Sequence, residues 1–192
     1  MVTQVRRLEI VDAAARLFAA RGYGGTTIDA VASEVGILKG SLYHHISGKE
    51  DLLLAVIDEV HDAAMTRLDI AATMEGTVLG RLEWFLTDHA GYNCRHLDSI
   101  TVYFQEFEQL TGDRRRKVDG DRRRYDRFVR SLIDEGRADG EVAGWVDARL
   151  AANAALGMVN WVHQWFDPAT QNADEVAAEL AKLAVTMVTA QR

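Results

Sequence analysis

Between Thr26 and Leu53 the chain reads TTIDAVASEVGILKGSLYHHISGKEDLL, with apolar residues at helical spacing on both sides of one glycine. Ile28, Val31, Ala32 and Val35 fall at i, i+3, i+4 and i+7, the stripe of a short amphipathic helix. Thr26 or Thr27 is placed to cap it, and Asp29 sits where a negative charge suits a helix N-terminus. Gly36 stops the helix, because a residue without a β-carbon takes the left-handed conformation a sharp turn needs. Ile37 then plugs the angle before a second short helix, Lys39 to His45, of which Leu42 and Ile46 face inward. Ser47 and Glu50 have capping-box spacing, with Ser47 as N-cap of a third helix and Glu50 reaching back to it. Lys49 lies in that helix's first turn.

The second helix is too short and polar to be a core element, so its outward residues carry the meaning. Lys39, Gly40, Ser41, Tyr43, His44 and His45 make a surface of hydrogen-bonding side chains with one bare position. Such a face fits the major groove of B-DNA, where hydroxyl and ring N–H groups reach base edges or phosphates. A phosphate also suits the N-terminus that holds Lys49.

Thr26-Thr27, Val31-Ala32, Gly36-Ile37, Lys39 through Ile46 and Lys49-Glu50-Asp51-Leu52 together resemble the TetR family of bacterial repressors, over about the first third of the chain. The resemblance implies that Thr27, Lys39, Tyr43, His45 and Lys49 grip phosphates, and that Gly40, Ser41 and His44 lie near base edges of double-stranded operator DNA. Asp29 departs from the pattern, standing where many members carry Arg or another DNA-facing residue. Its charge argues against a close phosphate there.

The net charge of −7 is unevenly spread. Residues 1–50 hold six Lys or Arg against five acids, so 51–192 carry −8 and the reading head is mildly basic. Cys94 is the one cysteine, which excludes an internal disulfide. It reads as a small buried hydrophobe. The N-terminal MVTQVRRLEIVDAA has early acids, unlike a secretory signal, and no run approaches the ~18 apolar residues that span a bilayer. A cytoplasmic protein without membrane contact is expected.

One proline, Pro168, and no alternating stretch point to an all-α chain. Leu8, Val11, Ala15 and Phe18, widened by Ala14 and Leu17, form the face of a first helix that Gly22 ends. Leu52, Leu53, Val56, Ile57, Val60 and Leu68 mark a long helix from the Ser47 cap to about Thr73. It is the evident mechanical link out of the head. Further helices are expected from Thr77 to Tyr92, Asp98 to Leu110, Asp113 to Ala138, Asp147 to Phe166 and Ala173 to Thr189. An exposed turn is expected from Gly136 to Gly144. The division is therefore 1–47, a three-helix helix-turn-helix head, and 48–192, a helical ligand-binding and dimerisation domain.

The last two helices are apolar over more than one packed face. Leu150, Ala154, Gly157 and Met158 on one, with Leu180, Leu183 and Met187 on the other, suggest a two-fold homodimer interface formed as a four-helix bundle. The alternative is that both helices are simply core. Trp84, His89, Tyr103, Phe104, Phe107, Trp161 and Trp165 are expected to face a common interior and line a small-molecule pocket, or else to be ordinary core rings. His89 and Asn160 are more informative, since buried polar groups need partners. From Asp113 to Arg130 nine Lys or Arg face four acids. This run is either a solvated face of ion pairs or, through Arg116, Arg123 or Arg127, a partner for an anionic ligand group.

The segment from Gly157 to Pro168, and GILKGSLYHHI in the head, are similar to TetR-family regulators of fatty-acid and steroid breakdown. That implies a hydrophobic effector, such as an acyl-CoA thioester, that releases a homodimeric repressor from paired half-sites. Two alternatives stay open: a ligand-independent DNA-binding module, and a TetR-type repressor sensing an unrelated aromatic or drug-like molecule. No phosphate-binding glycine loop, nucleophile motif or metal-ligand spacing occurs, so no enzyme, metal or other cofactor is expected.

Overall fold

The computed structural model describes residues 2–189, with side chains from residue 7; Met1 and 190–192, the outer ends of the two expected domains, lie outside the described residues. The described residues form the helices α1 (Val2–Gly25), α2 (Ile28–Glu34), α3 (Lys39–Leu42), α4 (Lys49–Thr73), α5 (Val78–Arg95), α6 (Leu97–Glu106), α7 (Gly112–Ala138), α8 (Ala148–Asn160) and α9 (Ala173–Val188). Among them there is no strand, only an antiparallel bridge between Val142 and Thr189. The chain gathers into two compact units. One holds the residues up to Asp62 with Leu97–Val118; the other holds Ala63–His96 with the residues from Asp119 onward. The divisions fall inside α4 and α7, so these helices have residues in both.

In the first unit α1 packs against α6 and α2. It buries Ile10, Val11, Ala14, Ala15, Leu17 and Phe18, whereas Leu8, expected inward, is 53% exposed and Ile10 takes its place. Gly22 breaks α1 at φ 73°, ψ 160°. The buried Thr26 hydroxyl seals that break against the Leu17 and Gly22 carbonyls (3.1 and 3.0 Å). Glu106, at the end of α6, accepts the Tyr23 N–H at 2.7 Å. Gly36 has φ 67°, as the turn requires.

Two local expectations are corrected. The helix of α3 stops at Leu42, because His44 and His45 donate to the carbonyls three residues back, Ser41 and Leu42, and tighten the chain into a turn. At the start of α4 it is Asp51, not Glu50, that reaches back to accept the Ser47 N–H (2.9 Å). Arg114 of α7 pairs with the same Asp51 carboxylate and lies 3.5 Å from Glu50, and Lys117 binds Asp58 at 2.7 Å. α7 is thus fastened to the start of α4.

In the second unit Phe85 is fully buried, its ring 5.1 Å from those of Tyr125 and Phe128. The basic run of α7 is crossed by ion pairs within each unit, including Arg124–Asp69 at 2.6 Å and Arg130–Asp126 at 3.2 Å. α8 ends at Asn160 rather than continuing to Phe166, and Trp161–Gln164 is a 3₁₀ turn. Two side chains explain the change. Asn93 Nδ2 takes the Val159 carbonyl (3.0 Å) and His163 Nδ1 takes that of Asn160 (2.7 Å), both acceptors an α-helix would have used.

Within Gly136 to Gly144, Arg137 through Gly140 are exposed as expected, whereas Val142 and Ala143 are buried. Glu141 accepts the Val78 and Leu79 N–H groups (3.2 and 3.0 Å) at the start of α5. A β-carbon on Gly136 would lie 2.7 Å from Val142 Cγ2, whereas one on Gly120 would meet nothing nearer than Arg123 Nη2 at 4.0 Å. Replacing a helical Gly by Ala gains up to ~1 kcal/mol, but overpacking costs roughly 1 to 3 kcal/mol. Urea denaturation should therefore show Gly120→Ala stabilised and Gly136→Ala destabilised.

Candidate functional site

α2 and α3 set the outward surface of the first unit. Thr27 caps α2, its hydroxyl oxygen accepting the Ala30 N–H at 3.1 Å while the side chain stays exposed. Leu42 and Ile46 are buried, as expected, and anchor α3 from behind. Lys39, Gly40, Ser41, Tyr43 and His44 are exposed, and His45 is half-buried. A groove of about 440 Å³ opens beside them, lined by Tyr43, His44, His45, Arg7, Asp51 and Asp58.

Two of the expected phosphate grips have partners within the protein. Lys39 Nζ lies 2.8 Å from Asp29 Oδ2, and the hydrogen bond and charge of Asp29 raise its pKa. Lys49 Nζ stands 4.2 Å from the Tyr23 ring centroid, a cation–π contact. Hydrogen bonds from Ser47, then Arg114, hold the Asp51 carboxyl below the usual range, so the clamp behind α3 is ionic at neutral pH.

The expected ligand-binding residues fall in both units. Tyr103, Phe104 and Phe107 cluster in the first unit, with Tyr103 edge-on to His61 at 5.1 Å. Trp84 packs half-buried on the core of the second unit. Trp161 is 62% and Trp165 44% exposed, so neither lines an interior. Trp161 continues the exposed face of α8, four residues beyond Gly157. Arg123 and Arg127 are exposed on α7, with Arg127 Nε donating to the Arg123 carbonyl at 3.2 Å.

His89 and Asn160 do come together, with Asn93, which the sequence reading missed. His89 Nε2 is 2.8 Å from Asn160 Oδ1. An amide oxygen only accepts, so Nε2 carries the proton. Asn93 Nδ2 also donates, to the Val159 carbonyl at 3.0 Å and toward Asn160 Oδ1 at 3.4 Å. Burial lowers the His89 pKa to about 4, against the opposing hydrogen bond to Asn160, so the ring is neutral and Nδ1 is a bare acceptor. Nδ1 and Asn93 Oδ1 are both buried without a hydrogen-bond partner. The cluster therefore complements a donor, a hydroxyl or N–H, and not a second carbonyl. The available signal was the polar pair at i and i+4 on the face of α5 that carries Leu82, Phe85 and Leu86.

The apolar breadth of the last two helices resolves into separate stripes. Ala151, Ala155, Ala177, Ala181 and Ala184 are buried. Leu150, Ala154, Gly157, Leu183 and Met187 are exposed, with Met158 and Leu180 half-buried.

Residues 10–56 match the family model "Bacterial regulatory proteins, tetR family", and 75–188 match "Tetracyclin repressor-like, C-terminal domain". The chain is 29% identical over 173 residues to the HTH-type transcriptional repressor KstR2 of Rhodococcus jostii (strain RHA1), covering 85% of this chain and 80% of that one. It is 23% identical over 153 residues to the fatty acid metabolism regulator protein of Bacillus subtilis (strain 168), covering 80% and 79%. Among solved structures, AibR in complex with isovaleryl coenzyme A and operator DNA aligns at a TM-score of 0.82 and 28% identity, over 96% of this chain and 98% of that one.

Because the folded state keeps His89 neutral down to about pH 4 and the unfolded chain takes up a proton near 6.5, its contribution to stability is complete above pH 6.5 and lost as the pH falls toward 4. Urea unfolding at pH 7 and pH 5 should differ by roughly 2 kcal/mol on this account. That difference should vanish in His89→Gln, whatever the variant's absolute stability.

Proposed function

Since the chain belongs to the TetR family of bacterial transcriptional regulators, we propose that it is a homodimeric repressor released from paired operator half-sites by a hydrophobic effector bearing a hydrogen-bond donor. The observation that carries the DNA half of this reading is the outward face of α3, polar and exposed over a buried Leu42 and Ile46. In it Tyr43, His45, Thr27 and Lys49 grip phosphates, with Lys39 joining once it parts from Asp29, and Gly40, Ser41 and His44 approach base edges. Residues 1–47 serve as the reading domain and 48–192 as the effector and dimer domain.

The exposed stripe through Leu150, Ala154, Gly157, Leu183 and Met187 supports a homodimer, because large apolar side chains in a row on adjacent helices are stabilised by being covered. Trp161 belongs with this stripe rather than with a pocket. A dimer holds its two reading helices about one DNA turn, ~34 to 36 Å, apart.

The two bare acceptors at His89 and Asn93 support effector binding in the second unit. An acyl-CoA thioester fits the reading, combining an apolar acyl chain with hydroxyl and amide N–H donors and phosphates that Arg123 and Arg127 would meet. The fatty-acid regulator among its relatives and the isovaleryl coenzyme A bound to AibR point to the same class. The coupling runs along α4 and α7, the helices with residues in both units.

Fluorescence anisotropy on a duplex from the region upstream of its own gene tests both halves, at fixed salt with a panel of acyl-CoA thioesters and their free acids. Release by a thioester and not by its acid is expected. Affinity for this duplex no greater than for random duplex would overturn the DNA reading. Tight binding untouched by the whole panel would overturn the acyl-CoA effector.

A further inference from the structure

Leu38 is the residue beside α3 that local physics least explains. It is the N-cap of that helix, at φ −72°, ψ 144°, with no side-chain hydrogen bond. Ser, Thr, Asp and Asn are favoured there, because a side-chain oxygen accepts an orphan N–H of the first turn, and leucine ranks among the poorest caps. Leu38 is also 80% exposed. It neither caps nor packs.

Its placement is nonetheless well defined. The Leu38 carbonyl accepts the Ser41 and Leu42 N–H groups at 2.9 and 3.2 Å, fixing the backbone from which the side chain projects. Lys39, next to it, is turned toward Asp29 at 2.8 Å, and around Gly40 an added β-carbon would meet nothing within 4 Å. The leading edge of α3 is therefore an isobutyl group beside bare backbone, with the nearest cation held aside by a carboxylate of α2.

In the major groove an apolar side chain has one base-edge partner, the C5-methyl group of thymine. Phosphate offers leucine nothing, and guanine, adenine and cytosine present polar edges there that leucine leaves unpaired. Resting on the reading that α3 enters the major groove, we infer that Leu38 selects thymine at one position of each half-site by contact with its methyl group. A residue poor in local terms, at the edge of a reading surface, is where function overrides local preference. Leu38 thus sets specificity, while Tyr43 and Lys49 set overall affinity.

The test uses a duplex that the full-length protein enriches from a random library, with each thymine replaced in turn by deoxyuridine, which lacks only the methyl. Competition anisotropy should find one thymine per half-site whose replacement weakens wild-type binding about fourfold, the worth of one buried methyl-sized group. Leu38→Ala and Leu38→Ser should bind the thymine and deoxyuridine duplexes equally. Leu38→Ser supplies a capping oxygen, so its Tm should equal or exceed that of the wild type, and loss of discrimination then has no cause in misfolding. The inference is overturned if both variants keep the wild-type difference at every position, or if the wild type shows none. Failure to enrich any duplex would overturn the DNA-reading premise and this inference with it.

Discussion

The exit from α3 is tied down by one carboxylate. α3 is four residues long, far below the length at which a helix holds itself in water, so its direction is imposed by what surrounds it. Gly36 turns the chain into it and Leu42 and Ile46 fix its inner side, but its far end is set by Asp51. That side chain accepts the Ser47 N–H and pairs with Arg114. Arg114 stands in the first turns of α7, whose later residues belong to the other unit. The chain Ser47–Asp51–Arg114 thus ties the exit from α3 to the first turn of α7 within one unit.

Much of this architecture was legible because it is local. The i, i+3, i+4 stripe of α2, the stop at Gly36, the helix starts near Thr77, Asp147 and Ala173, and the inward Leu42 and Ile46 all depend on residues within one or two turns. Family membership was legible for the same reason, since a short helix-turn-helix carries its pattern in consecutive residues. The misreadings involve partners distant in sequence. Nothing near Ser47 says that Asp51 rather than Glu50 closes its cap, because Arg114 shares that carboxylate from 63 residues away. The end of α8 at Asn160 depends on Asn93, 66 residues from the Val159 carbonyl it binds. Gly136 to Gly144 is a surface turn over Arg137 to Gly140, but its Val142 end is pinned to the core beside Gly136.

The proposed effector unit shows the same limit in sharper form. Aromatic composition alone grouped Trp161 and Trp165 with His89, but a ring's identity does not say which side of a helix it takes, and Trp161 lies on the exposed face that Leu150, Ala154 and Gly157 share. Polar residues were the better guide. A buried His and Asn must each answer for every donor and acceptor, so the pair His89–Asn160 led to Asn93 and to two acceptors without a donor. The apolar surplus on α8 and α9 was equally informative, since neighbouring stripes at helical spacing divided into one buried and one exposed.

The central claim is that the Asp51–Arg114 contact, and through it α7, sets the pose in which α3 meets DNA. The most direct test is the ratio of affinities for an enriched operator duplex and a random duplex of equal length, in wild type and Arg114→Gln, at one salt concentration. The ratio cancels the general effect of removing a positive charge. Loss of the contact should lower the ratio roughly fivefold, the equivalent of about 1 kcal/mol. An unchanged ratio in a variant with wild-type Tm would contradict the account.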